Sequence, residues 1–285
     1  MNRFIHFLII ATSVILIGSL GSLFQSGIDV SLQLFIERIV MTVTSLFDFS
    51  QLTYESPAGS GIERSIFPFI FEYYGYSLFI LLAGFCSALL AAFLLTYFTF
   101  FVSPSIREGI KKAVGLLEAI PDILIIVVVQ LAFIALYRKT GILLFEVVGA
   151  FERPIILPLV TFAILPSLFL YRIMLLDFEE EWLRPYVELA RGKGMTKGRV
   201  LIKHIMRNSL VSLVNHSKSL ILLLLTNLVM LEVIFNLYGI TWFIITYISG
   251  QVVIFSVLII FIPLYITEAF VRRIITHFTG EEVPR

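Results

Sequence analysis

The segment from residue 184 to residue 208 concentrates residue types that could bind a partner through charge and shape. Seven of the chain's 21 Lys and Arg residues lie between Arg184 and Arg207. Gly192 and Gly194 interrupt this basic stretch and permit the left-handed backbone that ends a helix. A compact helical turn suits the cleft of another protein. The alternative is a basic interfacial loop that contacts lipid headgroups, which needs no compact turn.

The order of residues in this segment predicts two short helices joined by a tight turn. Pro185 suits the first turn of a helix, where its missing N–H is not needed. The first helix should run through YVELAR, with Tyr186, Leu189 and Ala190 on one side. Thr196 is an acceptable N-cap for the second helix, which should continue into an apolar run. On that second helix a basic stripe recurs every four residues, formed by Arg199, Lys203 and Arg207.

Long apolar runs surround this segment. The 285 residues are 59% hydrophobic and 14% charged, which lies outside the usual balance of a soluble domain. Six runs approach the roughly 20 residues that a helix needs to cross a bilayer. They are residues 5–24, 75–102, 120–137, 154–175, 209–235 and 251–271. The sequence therefore predicts an all-α integral membrane protein with six transmembrane helices. We interpret the first run as an uncleaved span, because it exceeds the apolar region of a usual signal peptide.

The distribution of Lys and Arg predicts the orientation in the bilayer. With the N-terminus inside, the inner segments hold 14 of these residues and the outer segments hold 5. This bias predicts that both termini and the basic segment are cytoplasmic. The prediction divides the chain into five parts. They are a first transmembrane helix (1–24), an extracytoplasmic helix-and-loop segment (25–74), a five-helix core (75–271), a coupling loop within that core (about 177–208) and a cytoplasmic tail (272–285).

The extracytoplasmic segment has two recognisable patterns. LQLFIERIVMTVTSLF, residues 32–47, has the apolar spacing of a helix, and SPAGSG, residues 56–61, is typical of a turn. We expect a small cap over the outer mouth of the protein. The alternative is a flexible connector that only joins the first two spans.

Three motifs resemble one family of membrane proteins. Glu188-Leu189-Ala190-Arg191-Gly192-Lys193-Gly194 is similar to the EAA loop of ABC-transporter permease subunits. ARGKG followed by RVLIKHIMRNSL resembles the dipeptide, oligopeptide and nickel importers in particular, as do LEVIFNLYGI (231–240) and EAIPDILI (118–125). Leu189 and Ser212 depart from the family pattern, which has alanine and proline at these positions. The resemblance covers residues from about 105 to the C-terminus.

This resemblance implies an ABC importer type I permease architecture and a set of partners. We expect a permease subunit that forms half of the pathway for peptides or a related small solute. The implied partners are a second homologous permease, two ABC ATPase subunits or domains, and an extracytoplasmic binding protein. The implied location is a bacterial or archaeal cell membrane. The residues expected to couple to the ATPase are Tyr186, Glu188, Leu189, Ala190, Arg191, Lys193 and Gly194.

ATP chemistry is expected on the partner subunits rather than on this chain. The sequence has no G-x-x-x-x-G-K-[ST] loop to cradle nucleotide phosphates. We therefore expect ATP and Mg²⁺ on the ATPase, and no enzymatic activity, metal site or nucleic-acid partner here. Polar residues within spans are costly and tend to face protein or water, so they are candidates for the pathway. These candidates are Gln130, Asn215, Lys218, Asn227 and Glu232.

Two alternatives remain at this point. Glu179, Glu180 and Arg184 satisfy E-E-x-x-x-R, while His204 and Asn208 satisfy H-x-x-x-N. Both patterns resemble the CAAX-type intramembrane metalloproteases, which hold an activated water between carboxylates and histidines. However, both elements lie in the predicted cytoplasmic loop, and no F-x-x-x-H element accompanies them. The other alternative is a secondary transporter built from inverted repeats, although the two halves of this chain show no obvious repeat.

Overall fold

A computed structural model describes residues 3–20, 32–48, 52–56, 60–149, 153–247 and 249–279. Its architecture is mostly helical. The first elements in chain order are α1 (Arg3–Ser19), α2 (Leu32–Phe47), β1 (Thr53–Glu55), β2 (Glu63–Ser65), α3 (Ile70–Thr99), α4 (Pro104–Glu118) and α5 (Asp122–Thr140). They are followed by α6 (Ile156–Trp182), α7 (Pro185–Gly192), α8 (Lys197–Val200), a π-helical turn (Leu201–Ile205), α9 (Met206–Asn215), α10 (Ser217–Ile234), α11 (Ile240–Thr246) and α12 (Gly250–Thr279).

Four helices among the described residues are long and apolar enough to cross a membrane, namely α3, α5, α6 and α10. Shorter apolar helical stretches lie at Leu8–Ser19 in α1 and Gln251–Pro263 in α12. These helices confirm the coarse prediction of a mostly helical, membrane-embedded protein. The first and sixth predicted spans correspond to the two shorter stretches, so the six-span layout stays a prediction.

The chain divides into two compact units, and the first comprises Met1–Leu78 and Tyr238–Tyr265. Its core joins the β-hairpin to the starts of α3 and α12 and to α11. Tyr54 of β1 packs edge-on against Phe243 of α11 at a centroid distance of 5.5 Å, and Tyr73 stacks on Trp242 at 5.5 Å. The hydroxyl oxygen of Ser77 accepts the first backbone N–H of α11, that of Ile240, at 2.7 Å. Burial raises the pKa of Tyr54, which keeps its hydroxyl neutral within this core.

The second unit comprises Phe79–Leu237 and Ile266–Arg285, with α6 as its central helix. α6 packs against α4, α5, α9, α10 and the π-helical turn. In the most apolar part of α6, 61% of the residues are buried, against 11% in α5. α3 approaches α6 closely at Gly84, where an added Cβ would lie 2.3 Å from the ring of Phe162. An alanine at this position would therefore force the buried ring of Phe162 to shift.

The structure differs from the sequence predictions in four places. The two strands pair across the predicted SPAGSG turn, with Tyr54 opposite Arg64, and the predicted all-α class did not include them. The inner segment before the third span, for which no helix was predicted, forms the amphipathic helix α4. The fifth run, residues 209–235, is interrupted at His216, so the long apolar helix starts only at Ser217. Before that break the helix widens into a π-helical turn, which is common near functional sites.

Candidate partner-binding site

The first part of the candidate site is α7, and its two ends follow the sequence prediction closely. Pro185 occupies the first turn, after Arg184 in extended conformation at the N-cap. At the other end Gly194 has φ +79°, whereas Gly192 is still helical. The N–H of Gly194 donates to the Arg191 carbonyl at 2.9 Å, and that of Met195 donates to the Ala190 carbonyl at 3.2 Å. This pair of bonds is a Schellman motif, in which Gly194 takes the left-handed position.

One face of α7 is fixed against the rest of its unit. Val187 is fully buried and Ala190 is 6% exposed. Beside them the Tyr186 hydroxyl donates to a carboxylate oxygen of Glu181, which also accepts the Asn208 Nδ2 group at 2.9 Å. Burial, followed by the hydrogen bond to Glu181 and then by the Glu181 charge, raises the pKa of Tyr186 well above its ordinary value. Tyr186 and Ala190 therefore hold α7 in place rather than face outward.

The opposite face of α7 is open. Leu189 is 62% exposed, and Leu183 just before the helix is 80% exposed. The prediction that Leu189 shares a side with Tyr186 and Ala190 is wrong, since its side chain lies on the other face. Glu188, Lys193 and Gly194 are also exposed. We call Leu183, Glu188, Leu189 and Lys193 the exposed tip. Leu183 was missed because it is a lone apolar residue outside the motif.

A cluster of cations and aromatic rings connects the C-terminal part of α7 to the ends of α3 and α6. Arg191 stands over the Trp182 ring at 5.3 Å, and Lys197 stands over the Phe100 ring at 5.0 Å. Phe100 and Trp182 contact each other edge-on at 5.2 Å. Arg107 lies over the same Phe100 ring at 4.4 Å. We call Phe100, Arg107, Trp182, Arg191 and Lys197 the cation–aromatic cluster. Burial, followed by the charges of Arg107 and Arg191, lowers the pKa of Lys197.

An ion-pair network extends the cluster along α4 and α6. Lys111 contacts Glu179 at 2.6 Å and Glu108 at 2.9 Å, while Arg107 contacts Glu179 at 3.4 Å. Burial alone would lower the pKa of Lys111, but hydrogen bonds to Glu179 and Glu108 outweigh it, so the pKa is raised. The network ties α4 to the end of α6 that leads into α7.

The second helix after the turn follows its prediction only in part. Thr196 occupies the N-cap position of α8, but its side chain makes no capping hydrogen bond. The stripe residues Arg199, Lys203 and Arg207 are all exposed, although the π-helical turn interrupts their regular spacing. Ser209 in α9 donates to the carboxylate of Asp177 in α6 at 3.1 Å, so α9 packs along the end of α6.

The polar pathway candidates occupy different environments. Gln130 donates to the carbonyls of Val147 and Ile234 at 3.3 and 3.1 Å, which ties the loop after α5 to the end of α10. Asn227 is fully buried and donates to the Phe162 carbonyl at 3.0 Å. Glu232 is 1% exposed, whereas Asn215 and Lys218 are exposed near the break at His216. Gln130 and Asn227 thus bind main-chain carbonyls, and the structure does not bring the five residues into one site.

The motif LEVIFNLYGI ends α10 with the same cap that ends α7. Asn236 has φ +51°, and its N–H donates to the Val233 carbonyl at 3.3 Å. The next N–H, that of Leu237, donates to the Glu232 carbonyl at 2.9 Å. Asparagine tolerates the left-handed conformation and replaces the usual glycine of a Schellman motif. The Asn236 side chain also donates to the Gly149 carbonyl at 3.1 Å.

Metal chemistry gains no support from the described part of the chain, in which no group of three His, Cys, Asp or Glu residues could hold a metal ion. Of the residues behind the metalloprotease alternative, Glu180 pairs with Arg184 at 2.8 Å, and Glu179 pairs with Lys111 and Arg107. Asn208 binds Glu181 and the Tyr186 hydroxyl.

Comparison with known proteins does not assign the chain to a family. No protein-family model matches the chain, and a search of the curated proteins returns no match.

Proposed function

We propose that this chain is the transmembrane permease subunit of an ATP-driven ABC importer for peptides or a related small solute. The observation that carries the proposal is the two-sided construction of α7. Its inner face is bonded to α6 and α9 through Tyr186, while its outer face exposes Leu189 between charged residues. An exposed apolar side chain on a fixed helix is suited to fill a cleft on a partner protein. The resemblance of the same residues to the EAA motif supports an ABC ATPase as that partner.

The remaining parts of the proposal follow from this role. α1 and α12 would complete six membrane crossings around α3, α5, α6 and α10, with both termini in the cytoplasm of a bacterial or archaeal cell. A second homologous permease would supply the other half of the pathway, and a binding protein would deliver the solute from outside. ATP and Mg²⁺ would bind on two ATPase subunits or domains.

The mechanism assigned to this chain is mechanical. Closure of the ATPase around ATP displaces α7, and the binding energy difference between the two ATPase states shifts the permease between inward- and outward-facing forms. Glu188, Leu189, Lys193 and Gly194 would contact the ATPase directly. Tyr186, Ala190 and Arg191 would transmit the force, because they contact the rest of the second unit.

Affinity purification of the tagged full-length chain from its native membrane tests this function. The wild-type chain should retain an ATPase with a P-loop, together with ATP hydrolysis in the purified fraction. Glu188→Arg reverses a charge of the exposed tip, and Gly194→Trp places a bulky ring at the turn, so each should insert normally but lose the ATPase. Lys203→Gln, on an exposed position of the π-helical turn, should retain it. Retention of the ATPase by both Glu188→Arg and Gly194→Trp, or its absence from the wild-type chain, would refute the proposal.

A further inference from the structure

The C-terminal end of α3 receives two cations from other helices. α3 ends at Thr99, and the last carbonyls of a helix have no donor within the helix. The carbonyl of Phe100, one residue further, accepts Lys197 Nζ at 2.5 Å and Arg107 Nη2 at 3.0 Å. This end of a helix also carries the negative pole of its dipole, which favours positive side chains.

Besides its hydrogen bond to the Phe100 carbonyl, Lys197 lies close to three aromatic rings. Its ammonium group lies 5.0, 5.1 and 5.6 Å from the ring centroids of Phe100, Phe101 and Trp182. All three distances are within the range of about 6 Å in which a ring face attracts a cation. Lys197 is also the first residue of α8, so it directly follows the turn that ends α7. One side chain therefore joins the α7 turn to the end of α3.

The backbone of α8 confirms how closely the two elements approach. A Cβ added to Gly198 would lie 2.7 Å from the hydroxyl oxygen of Tyr97, in the last turn of α3. The next nearest atoms, Phe101 Cζ and Tyr97 Cζ, would lie at 3.6 and 3.7 Å, which is ordinary contact. Of these three atoms, only the Tyr97 hydroxyl would have to shift to admit a side chain at position 198.

We propose that Lys197 is a positioning residue that holds the start of α8 on the C-terminal end of α3, so that displacement of α7 moves α3. This inference rests on the proposed function and deepens it, because it names the contact through which the ATPase would act on a membrane-spanning helix. The salt bridges of Lys111 and Arg107 fix α4 and α6 to the same point. Within the cation–aromatic cluster, Lys197 connects the start of α8 to the end of α3.

The native cysteine provides a reporter on α3 itself. Cys86, the only cysteine in the sequence, is exposed on this helix. An environment-sensitive fluorophore on Cys86 of the ATPase-bound complex, reconstituted in nanodiscs, should change intensity when ATP and vanadate are added. Lys197→Met should keep ATPase co-purification and basal hydrolysis but reduce this change about fivefold or more, the lower range of allosteric coupling. Lys197→Arg retains the cation and should restore most of the signal.

A second pair of variants tests the same contact without altering its charge. Gly198→Ala should weaken the nucleotide-dependent signal, and addition of Tyr97→Phe, which removes the obstructing hydroxyl, should recover it. An unchanged signal in Lys197→Met, or loss of the signal in Lys197→Arg as in Lys197→Met, would overturn the role of Lys197. So would a defect of Gly198→Ala that Tyr97→Phe leaves uncorrected. Failure of the wild-type chain to retain any ATPase would instead refute the proposed function.

Discussion

Asn227 in α10 donates its side-chain amide to the main-chain oxygen of Phe162 in α6 at 3.0 Å. Phe162 lies four residues before Pro166, which is inside α6 and has no N–H to offer that carbonyl. Asn227 therefore replaces a missing helical hydrogen bond at a fully buried position. Prolines within membrane helices are tolerated where neighbouring side chains satisfy the freed backbone groups in this way. This bond gives Asn227 a structural role that the list of pathway candidates did not anticipate.

A double-mutant cycle tests the link between Asn227 and Pro166. Asn227→Leu in the wild-type background should lower the free energy of unfolding by about 1–3 kcal/mol, because a buried carbonyl loses its donor. In a Pro166→Ala background the new backbone N–H can bond to Phe162, so the same change should cost about 0.5 kcal/mol or less. Denaturant titration in a mild detergent gives both values. Equal losses in the two backgrounds would show that Asn227 acts through other contacts.

The two glycines of the α7 turn should respond differently to substitution. Gly194 has φ +79°, so Gly194→Ala should destabilise the protein by about 1 kcal/mol through backbone strain. Gly192 is helical and an added Cβ meets no atom within 4 Å. Gly192→Ala should therefore be neutral or stabilise by up to about 0.5 kcal/mol. Thermal unfolding of the purified variants provides the comparison. Similar effects at the two positions would contradict the Schellman geometry.

The Tyr186 hydroxyl should make stability depend on pH in the alkaline range. Its pKa is raised in the folded chain from an unfolded value near 10, because of burial and the Glu181 charge. The folded state then binds more protons above pH 10, so this contribution is full below about pH 10 and declines as the pH rises further. Tyr186→Phe should cost about 1 kcal/mol at neutral pH, since the bond to Glu181 is lost.

The comparison of the wild-type chain with Tyr186→Phe isolates this group from the other tyrosines. The stability difference between the two should be constant from pH 7 to 9 and should narrow above about pH 10. Unfolding curves at a series of pH values measure that difference. A difference that stays constant through the whole alkaline range would mean that Tyr186 titrates alike in both states.

The parts of the fold that could be predicted from sequence are those set by local pattern. The apolar spacing of residues 32–47 predicted α2 with its correct ends, and four of the six apolar runs correspond to helices long enough for a membrane. Gly194 marked the end of α7, because few other residues adopt a positive φ without strain. The Ile120-Pro121-Asp122 sequence likewise marks the start of α5, with Pro121 at its N-cap.

The parts that could not be predicted depend on contacts between distant residues. The strands are three residues each, and Leu52 and Tyr54 lie in the same buried cluster as Ile240 and Phe243 of α11. The contact between Lys197 and Phe100 joins residues 97 positions apart, so no local sequence pattern predicts it. The direction of Leu189 was mispredicted because the motif alone does not state which face of α7 packs inward. Val187, outside the predicted set, defines that inner face.

Cross-linking from position 189 tests the central claim most directly. In a Cys86→Ser background, which removes the only native cysteine, Leu189→Cys places a thiol on the exposed tip. Ile202→Cys is the matched control, because Ile202 is 53% exposed but lies on the π-helical turn. A short bis-maleimide added to native membranes should join the Leu189→Cys chain to a P-loop ATPase, with a yield that changes when ATP is added. The control should give no such product. Equal products from both positions, or none from a fully labelled Leu189→Cys chain, would contradict the assignment of α7 as the ATPase contact.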